Sequence, residues 1–181
     1  YDVPENMKDT LRNYQIYGYK WLRLLADYGF GGILADDMGL GKTIQFITVI
    51  QAVKQEGKLV KPALVVCPTS VVYNWQEEFG RFSQGINVVA VTGKAKERKE
   101  LLKDQSADVF VTSYDLLKRD IENYEGHSFS YMVIDEAQFI KNGGTSVSKS
   151  VKIIKSDHRF ALTGTPIENR LSELWSIFDF I

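Results

Sequence analysis

Apolar positions along this chain change period several times, and the changes lay out a fold. Between residues 9 and 28, Leu11, Tyr14, Tyr17, Trp21, Leu24, Leu25 and Tyr28 recur every three or four residues, the period of an amphipathic helix. Asp9 or Thr10 is the expected cap, because either side-chain oxygen can accept a free N–H of the first turn. Gly31-Gly32 breaks the pattern, and Ile33-Leu34-Ala35 starts a short strand. Ala63-Leu64-Val65-Val66-Cys67 is apolar without interruption, as expected of a strand buried on both faces of a parallel sheet. Further strands are predicted at 88–91, 109–112, 131–134 and 160–162. Helices are predicted over 43–55, along the face Val71, Val72, Trp75, Phe79 and Phe82, over the charged stretch 94–103, from Asp115, over 145–155, and after Asn169. Six strands alternating with helices predict one α/β domain spanning 1–181, an open, mostly parallel sheet covered by helices on both faces. The expected flexible points are 55–61, 124–128 and 142–146.

Charge and cysteine content narrow the function classes. With 22 Lys plus Arg against 23 Asp plus Glu, the net charge is −1, so any nucleic-acid surface must be local. Cys67 stands alone, which excludes an internal disulfide and points to a reducing, intracellular setting: cytoplasm and nucleoid, or nucleus. No apolar run approaches the roughly 18 residues of a membrane span, and no export signal opens the chain. The chain begins at Tyr1 and stops inside an apolar helical pattern, Leu174 to Ile181, so a piece of a longer polypeptide is expected.

The strongest local signal is Asp36-Asp37-Met38-Gly39-Leu40-Gly41-Lys42-Thr43, which follows a strand and opens a helix. That is the setting of a phosphate-binding loop. Gly39 and Gly41 let backbone N–H groups approach phosphate oxygens, and the helix N-terminus adds a positive dipole end. Lys42 would meet the β- and γ-phosphates, and the Thr43 hydroxyl would ligate Mg2+. The strict pattern wants glycine where Asp36 stands, and a glycine-rich turn closing a strand–helix unit is the plain alternative. The second signal is Tyr131-Met132-Val133-Ile134-Asp135-Glu136-Ala137-Gln138, an apolar strand ending in two acids at the sheet's carboxyl edge. Asp135 suits the Mg2+ shell and Glu136 suits orienting or deprotonating a water. Alone it reads equally as a solvated strand end; beside the loop it reads as the other half of one site. The third, Leu162-Thr163-Gly164-Thr165-Pro166-Ile167-Glu168-Asn169, also follows a strand, and by itself could be a simple turn.

Taken in order, these segments resemble the first RecA-like lobe of the SWI/SNF-family ATPases of helicase superfamily two, from about Leu11 to the end of the chain. Leu11-Arg12-Asn13-Tyr14-Gln15 resembles the adenine-recognition segment, with Gln15 as the contact. Residues 35–43 resemble the ATP loop, including Gly39, Leu40, Gly41, Lys42 and Thr43, and in that family Asp36 is the ordinary residue. Cys67-Pro68-Thr69-Ser70 through Asn74-Trp75, and Thr112-Ser113-Tyr114, resemble two strand-tracking motifs. The acidic box usually ends in His, so Gln138 departs from the commonest form. Phe139-Ile140-Lys141-Asn142 and the segment 163–169 complete the set.

The resemblance implies a RecA-like P-loop lobe with the strand ending at Thr163 between the strand at Ile33 and the strand ending at Asp135. It implies an ATP- and Mg2+-dependent translocase on double-stranded DNA that remodels protein–DNA complexes. Arginines of a second RecA-like lobe in the same polypeptide would complete the site. Coupling falls to Gln138, Thr163, Gly164 and Thr165, and DNA contact to Thr69, Ser70, Ser113, Tyr114 and Lys141. Among rival classes, a GTPase switch needs an Asn-Lys-x-Asp segment that the chain lacks, and a small-molecule kinase has no need of the strand-end acids. A binding module without catalysis fits poorly with Lys42, Thr43, Asp135 and Glu136 all present. Trp21, Trp75 and Trp175 are expected in the core, stretch 94–103 as a solvated helix face, and His127 and His158 outside any zinc site.

Overall fold

The computed structural model describes residues 1–35, 41–164 and 171–181. After a 3-10 turn at Glu5–Met7 come α1 (Asn13–Asp27), β1 (Gly32–Ala35), α2 (Lys42–Gln55) and β2 (Ala63–Cys67). A second 3-10 turn, Thr69–Val71, leads into α3 (Val72–Phe82), β3 (Val88–Ala90), α4 (Ala95–Leu101), β4 (Val109–Ser113) and α5 (Tyr114–Arg119). β5 (Ser128–Ile134), α6 (Ser146–Ile153), β6 (Lys155–Thr163) and α7 (Leu171–Phe180) follow. The strand order is β1-β6-β5-β2-β4-β3, and every pairing is parallel. The strand ending at Thr163 therefore lies between the other two motif strands, as expected.

Period-two alternation inside the apolar strands divides the core. Ala63, Val65 and Cys67 face Phe46, Ile50, Trp75 and Phe79, while Leu64 and Val66 face the opposite layer with Phe110, Met132 and Ile134. One layer is α1, α2 and α3; the other includes α5, α6 and α7. Strands buried on both sides leave ligands only the edge where they end.

Three sequence expectations change here. The first helix starts at Asn13, and its N-cap is Arg12, whose backbone N–H donates to the Gln15 side-chain oxygen at 2.8 Å. Neither Asp9 nor Thr10 caps it. The buried face of α1 is Gln15, Tyr19, Leu22, Arg23 and Ala26. The more apolar stripe Tyr14, Tyr17, Trp21, Leu24 and Tyr28 is exposed, with Tyr17 at 75%. Polar members hid the true face: Arg23 is buried because it pairs with Glu56 at 2.6 Å and donates to the Tyr19 hydroxyl at 3.2 Å. The last strand begins at Lys155, where a helix was expected, and runs nine residues, pairing with β5 from Lys155 to Ala161. Among the described residues no helix is long and apolar enough to cross a membrane.

Candidate functional site

Register brings three motifs to one edge. Ala35, the last residue before the loop, pairs with Thr163, and Ala161 pairs with Ile134, which precedes Asp135. The Asp135 N–H continues the ladder onto the Val66 carbonyl at 2.8 Å. Helix α2 opens at Lys42, which is buried, with Thr43 beside it half-buried. A Cβ on Gly41 would stand 2.7 Å from the Gln15 amide nitrogen and 3.0 Å from the Tyr14 hydroxyl. Any larger residue at 41 would have to push these side-chain ends aside. This close approach brings Gln15, expected at adenine, beside the phosphate loop. Asp36, Gly39 and Leu40 lie outside the described residues, as does Thr165.

At the end of β5 the chain turns sharply. Glu136 has φ 52° and ψ 57°, the one non-glycine with positive φ among the described residues. Such a conformation costs about 1–3 kcal/mol and is characteristic of functional turns. The Asp135 carboxylate is held at both oxygens. Oδ1 accepts the Glu136 N–H at 2.9 Å, and Oδ2 accepts the Trp75 indole N–H at 2.9 Å. Burial pushes the Asp135 carboxyl above its ordinary value and the Glu136 charge adds to this; the Trp75 N–H, the Glu136 N–H and the Lys42 ammonium pull it back. Lys42 and the acids therefore share one electrostatic site. An all-oxygen donor set, with two like charges partly withdrawn from water, suits a hard divalent cation such as Mg2+.

A hydrogen-bonded chain joins the acids to the third motif. Gln138 donates from Nε2 to Glu136 Oε2 at 2.5 Å, and its Oε1 accepts from the Thr163 hydroxyl at 3.3 Å. Thr163 is buried, and Gly164 follows half-exposed at the same edge. Glutamine in place of the commoner histidine offers a donor and an acceptor at once without changing charge.

The residues expected at DNA divide. Thr69 and Ser70, on the turn after β2, and Lys141 are exposed. Ser113 and Tyr114 are buried. Ser113 caps α5 by accepting the Leu116 N–H at 3.1 Å, and the Tyr114 hydroxyl donates to the Asp135 carbonyl at 2.6 Å. The Tyr114 ring stacks on the exposed Phe139, with centroids 5.1 Å apart. The Tyr114 side chain thus supports the acidic turn, the Ser113 side chain caps α5, and both are covered from solvent.

Trp75 is 1% exposed, as expected of a core residue, but its bond to Asp135 was not foreseen; its place in the motif ending Asn74-Trp75 was the available signal. Trp21 and Trp175 are exposed, contrary to expectation, because α1 and α7 turn other faces to the sheet. The charged helix α4 is not wholly solvated either. Arg98 is covered and binds Asp120 through Nε at 2.6 Å and through its second terminal nitrogen at 2.8 Å.

Comparison with known proteins fits this geometry. Residues 14–181 match the SNF2-related domain family. A putative ATP-dependent helicase/translocase from Bacillus subtilis is 45% identical over 181 residues, covering 99% of this chain and 20% of that protein. The chromatin-remodelling ATPase INO80 of Lodderomyces elongisporus is 41% identical over 191 residues, covering 99% and 12%. The chain thus spans a fifth or less of these relatives. Among solved structures, the Sulfolobus solfataricus SWI2/SNF2 ATPase core in complex with dsDNA superposes with a TM-score of 0.88 at 44% identity. That match covers 100% of this chain and 38% of the other.

Proposed function

The chain belongs to the SNF2-related family, and from that premise we propose that it is the ATP-binding lobe of a DNA-dependent ATPase that moves along double-stranded DNA and remodels protein–DNA complexes. The observation that carries the reading is the chain Glu136–Gln138–Thr163 at the edge where Lys42 and Asp135 meet. Gln15 holds the adenine end. Gly39, Leu40 and Gly41 supply backbone N–H groups to the phosphates, and Lys42 neutralises them. Thr43 and Asp135 hold Mg2+, which when bound screens phosphate charge and orients the terminal phosphoryl group. Glu136 positions and deprotonates the attacking water. Gln138 and Thr163, with Gly164 and Thr165, carry the state of the γ-phosphate toward the second lobe. Thr69, Ser70 and Lys141 touch the DNA backbone, while Tyr114 supports the turn that carries the acids and Ser113 caps α5.

Arginines of a second RecA-like lobe in the same polypeptide complete the site. Such an arginine contributes about 10³–10⁵ in rate. The 181-residue chain alone should therefore hydrolyse ATP near background, with little response to duplex DNA. Steady-state ATP turnover with and without duplex DNA, for this chain and for the longer polypeptide, tests the reading. Equal rates for the two would overturn the two-lobe mechanism. A longer polypeptide that ignores DNA would overturn the translocase.

A further inference from the structure

Buried indole N–H groups usually find a hydrogen-bond partner. In this chain Trp75 donates to Oδ2 of Asp135, across 60 residues of sequence, at 2.9 Å. The same ring is pinned on its other sides. Phe46 meets it edge-on with centroids 6.2 Å apart, and Phe79 lies against it at 6.1 Å. Phe46 sits one turn beyond Lys42 on α2, so Trp75 touches the phosphate-loop helix and binds the acid at the end of β5. A rotating carboxylate would present its oxygens to a cation in many orientations. Here Oδ1 is tied to the next residue's backbone and Oδ2 to a buried ring packed against Phe46 of α2 and Phe79.

We propose that Trp75 is a positioning residue for divalent-cation binding: its N–H fixes the Asp135 carboxylate relative to α2, and with it the Mg2+ affinity of the nucleotide site. This rests on the ATP-site reading above. Outer hydrogen-bond partners of metal-holding carboxylates are worth about 10–100-fold in metal affinity. Trp75→Phe removes the N–H and keeps an aromatic ring between Phe46 and Phe79. Phe79→Leu loosens the packing of the same ring and leaves the N–H in place.

The experiment is a Mg2+ titration of ATP-analogue binding in the full-length protein, followed by nucleotide fluorescence, for the unsubstituted protein and both variants. Trp75→Phe should raise the half-saturating Mg2+ by about 10–100-fold while leaving cation-free nucleotide affinity unchanged. Phe79→Leu should lower the melting temperature and leave the Mg2+ midpoint where it was. An unshifted midpoint in Trp75→Phe, or an equal shift in Phe79→Leu, overturns the assignment to the N–H. Absence of Mg2+ dependence in the unsubstituted protein overturns the nucleotide-site reading, and the assignment with it. If Trp75→Phe does not fold, the indole N–H proton resonance of Trp75 in the unsubstituted protein decides. It should move when Mg2+ is added to the ATP complex while that of Trp175 stays still, and a static Trp75 resonance overturns the proposal.

Discussion

Two shielded charge clusters in this chain are built on opposite plans. Between α4 and the end of α5, Arg98 meets Asp120 in a two-point contact and donates a third bond to the Gly93 carbonyl at 2.7 Å. Opposite charges meet there, and the guanidinium and carboxylate are matched to each other. At the end of β5, Asp135 and Glu136 put two like charges side by side; they accept hydrogen bonds from the Trp75 and Glu136 N–H groups and the Gln138 amide, and the Lys42 ammonium acts on Asp135 through its charge. Neutral donors orient a carboxylate without cancelling it, so burial still pushes Asp135 upward. The first cluster holds the fold together. The second keeps like charges together, as the proposed Mg2+ site requires, and its cost appears in the left-handed backbone of Glu136.

If that contrast is right, Glu136→Gln gives the largest effect and gives it in rate. ATP hydrolysis by the longer polypeptide should fall about 10²–10⁴-fold, with nucleotide binding kept and the melting temperature not lowered. Lys42→Ala at the same edge should weaken ATP binding by about 10–100-fold, from losing a charged partner of the phosphates, in equilibrium binding assays. A destabilised fold in either variant would blur the distinction between the clusters.

Arg98→Met should do the reverse. Chemical denaturation should show a loss of about 1.5–3 kcal/mol, the worth of hydrogen bonds between charged groups. Mg·ATP affinity should be unchanged. Smaller still is the exposed α1 stripe: Tyr17→Ser should change stability by no more than about 0.5 kcal/mol, although the apolar pattern ranks Tyr17 with the core. Last comes His158, whose Nδ1 is buried without a partner and whose pKa burial lowers, Asp157 and Asp27 opposing the shift. A folded pKa below 6.5 means the unfolded chain binds the proton more tightly, so stability is full above 6.5 and falls as pH drops below it. Melting temperature should decline more steeply below that point in the unsubstituted protein than in His158→Gln.

The site was more legible in the sequence than the packing around it. The phosphate loop, the strand-end acids and the Thr-Gly segment each follow an apolar run, and strand-then-turn spacing in a parallel sheet sends all of them to one edge. Six strands could be placed for the same reason, since continuous apolar runs bounded by polar turns have few other uses. The α1 face could not be placed that way. Two stripes of that helix fit its period, and the more apolar one lost because Gln15 and Arg23 on the other found partners at Arg12, Tyr19 and Glu56. Arg98 on α4 is the same case, a charge that buries once Asp120 meets it.

By itself, then, the amino-acid sequence determined which strands exist, that they lie parallel between helices, and which residues reach the edge where they end. Those properties depend on local period and on the direction of the chain. Only the tertiary structure decided that Trp75 binds Asp135, that Tyr114 supports the acidic turn from beneath, and that Gln138 bridges Glu136 to Thr163. The Trp75 and Tyr114 contacts join residues 60 and 21 positions apart, and the Gln138–Thr163 contact spans 25. No periodicity encodes such pairs, because they depend on how β6, β5 and β2 line up and on where α3 leans across them.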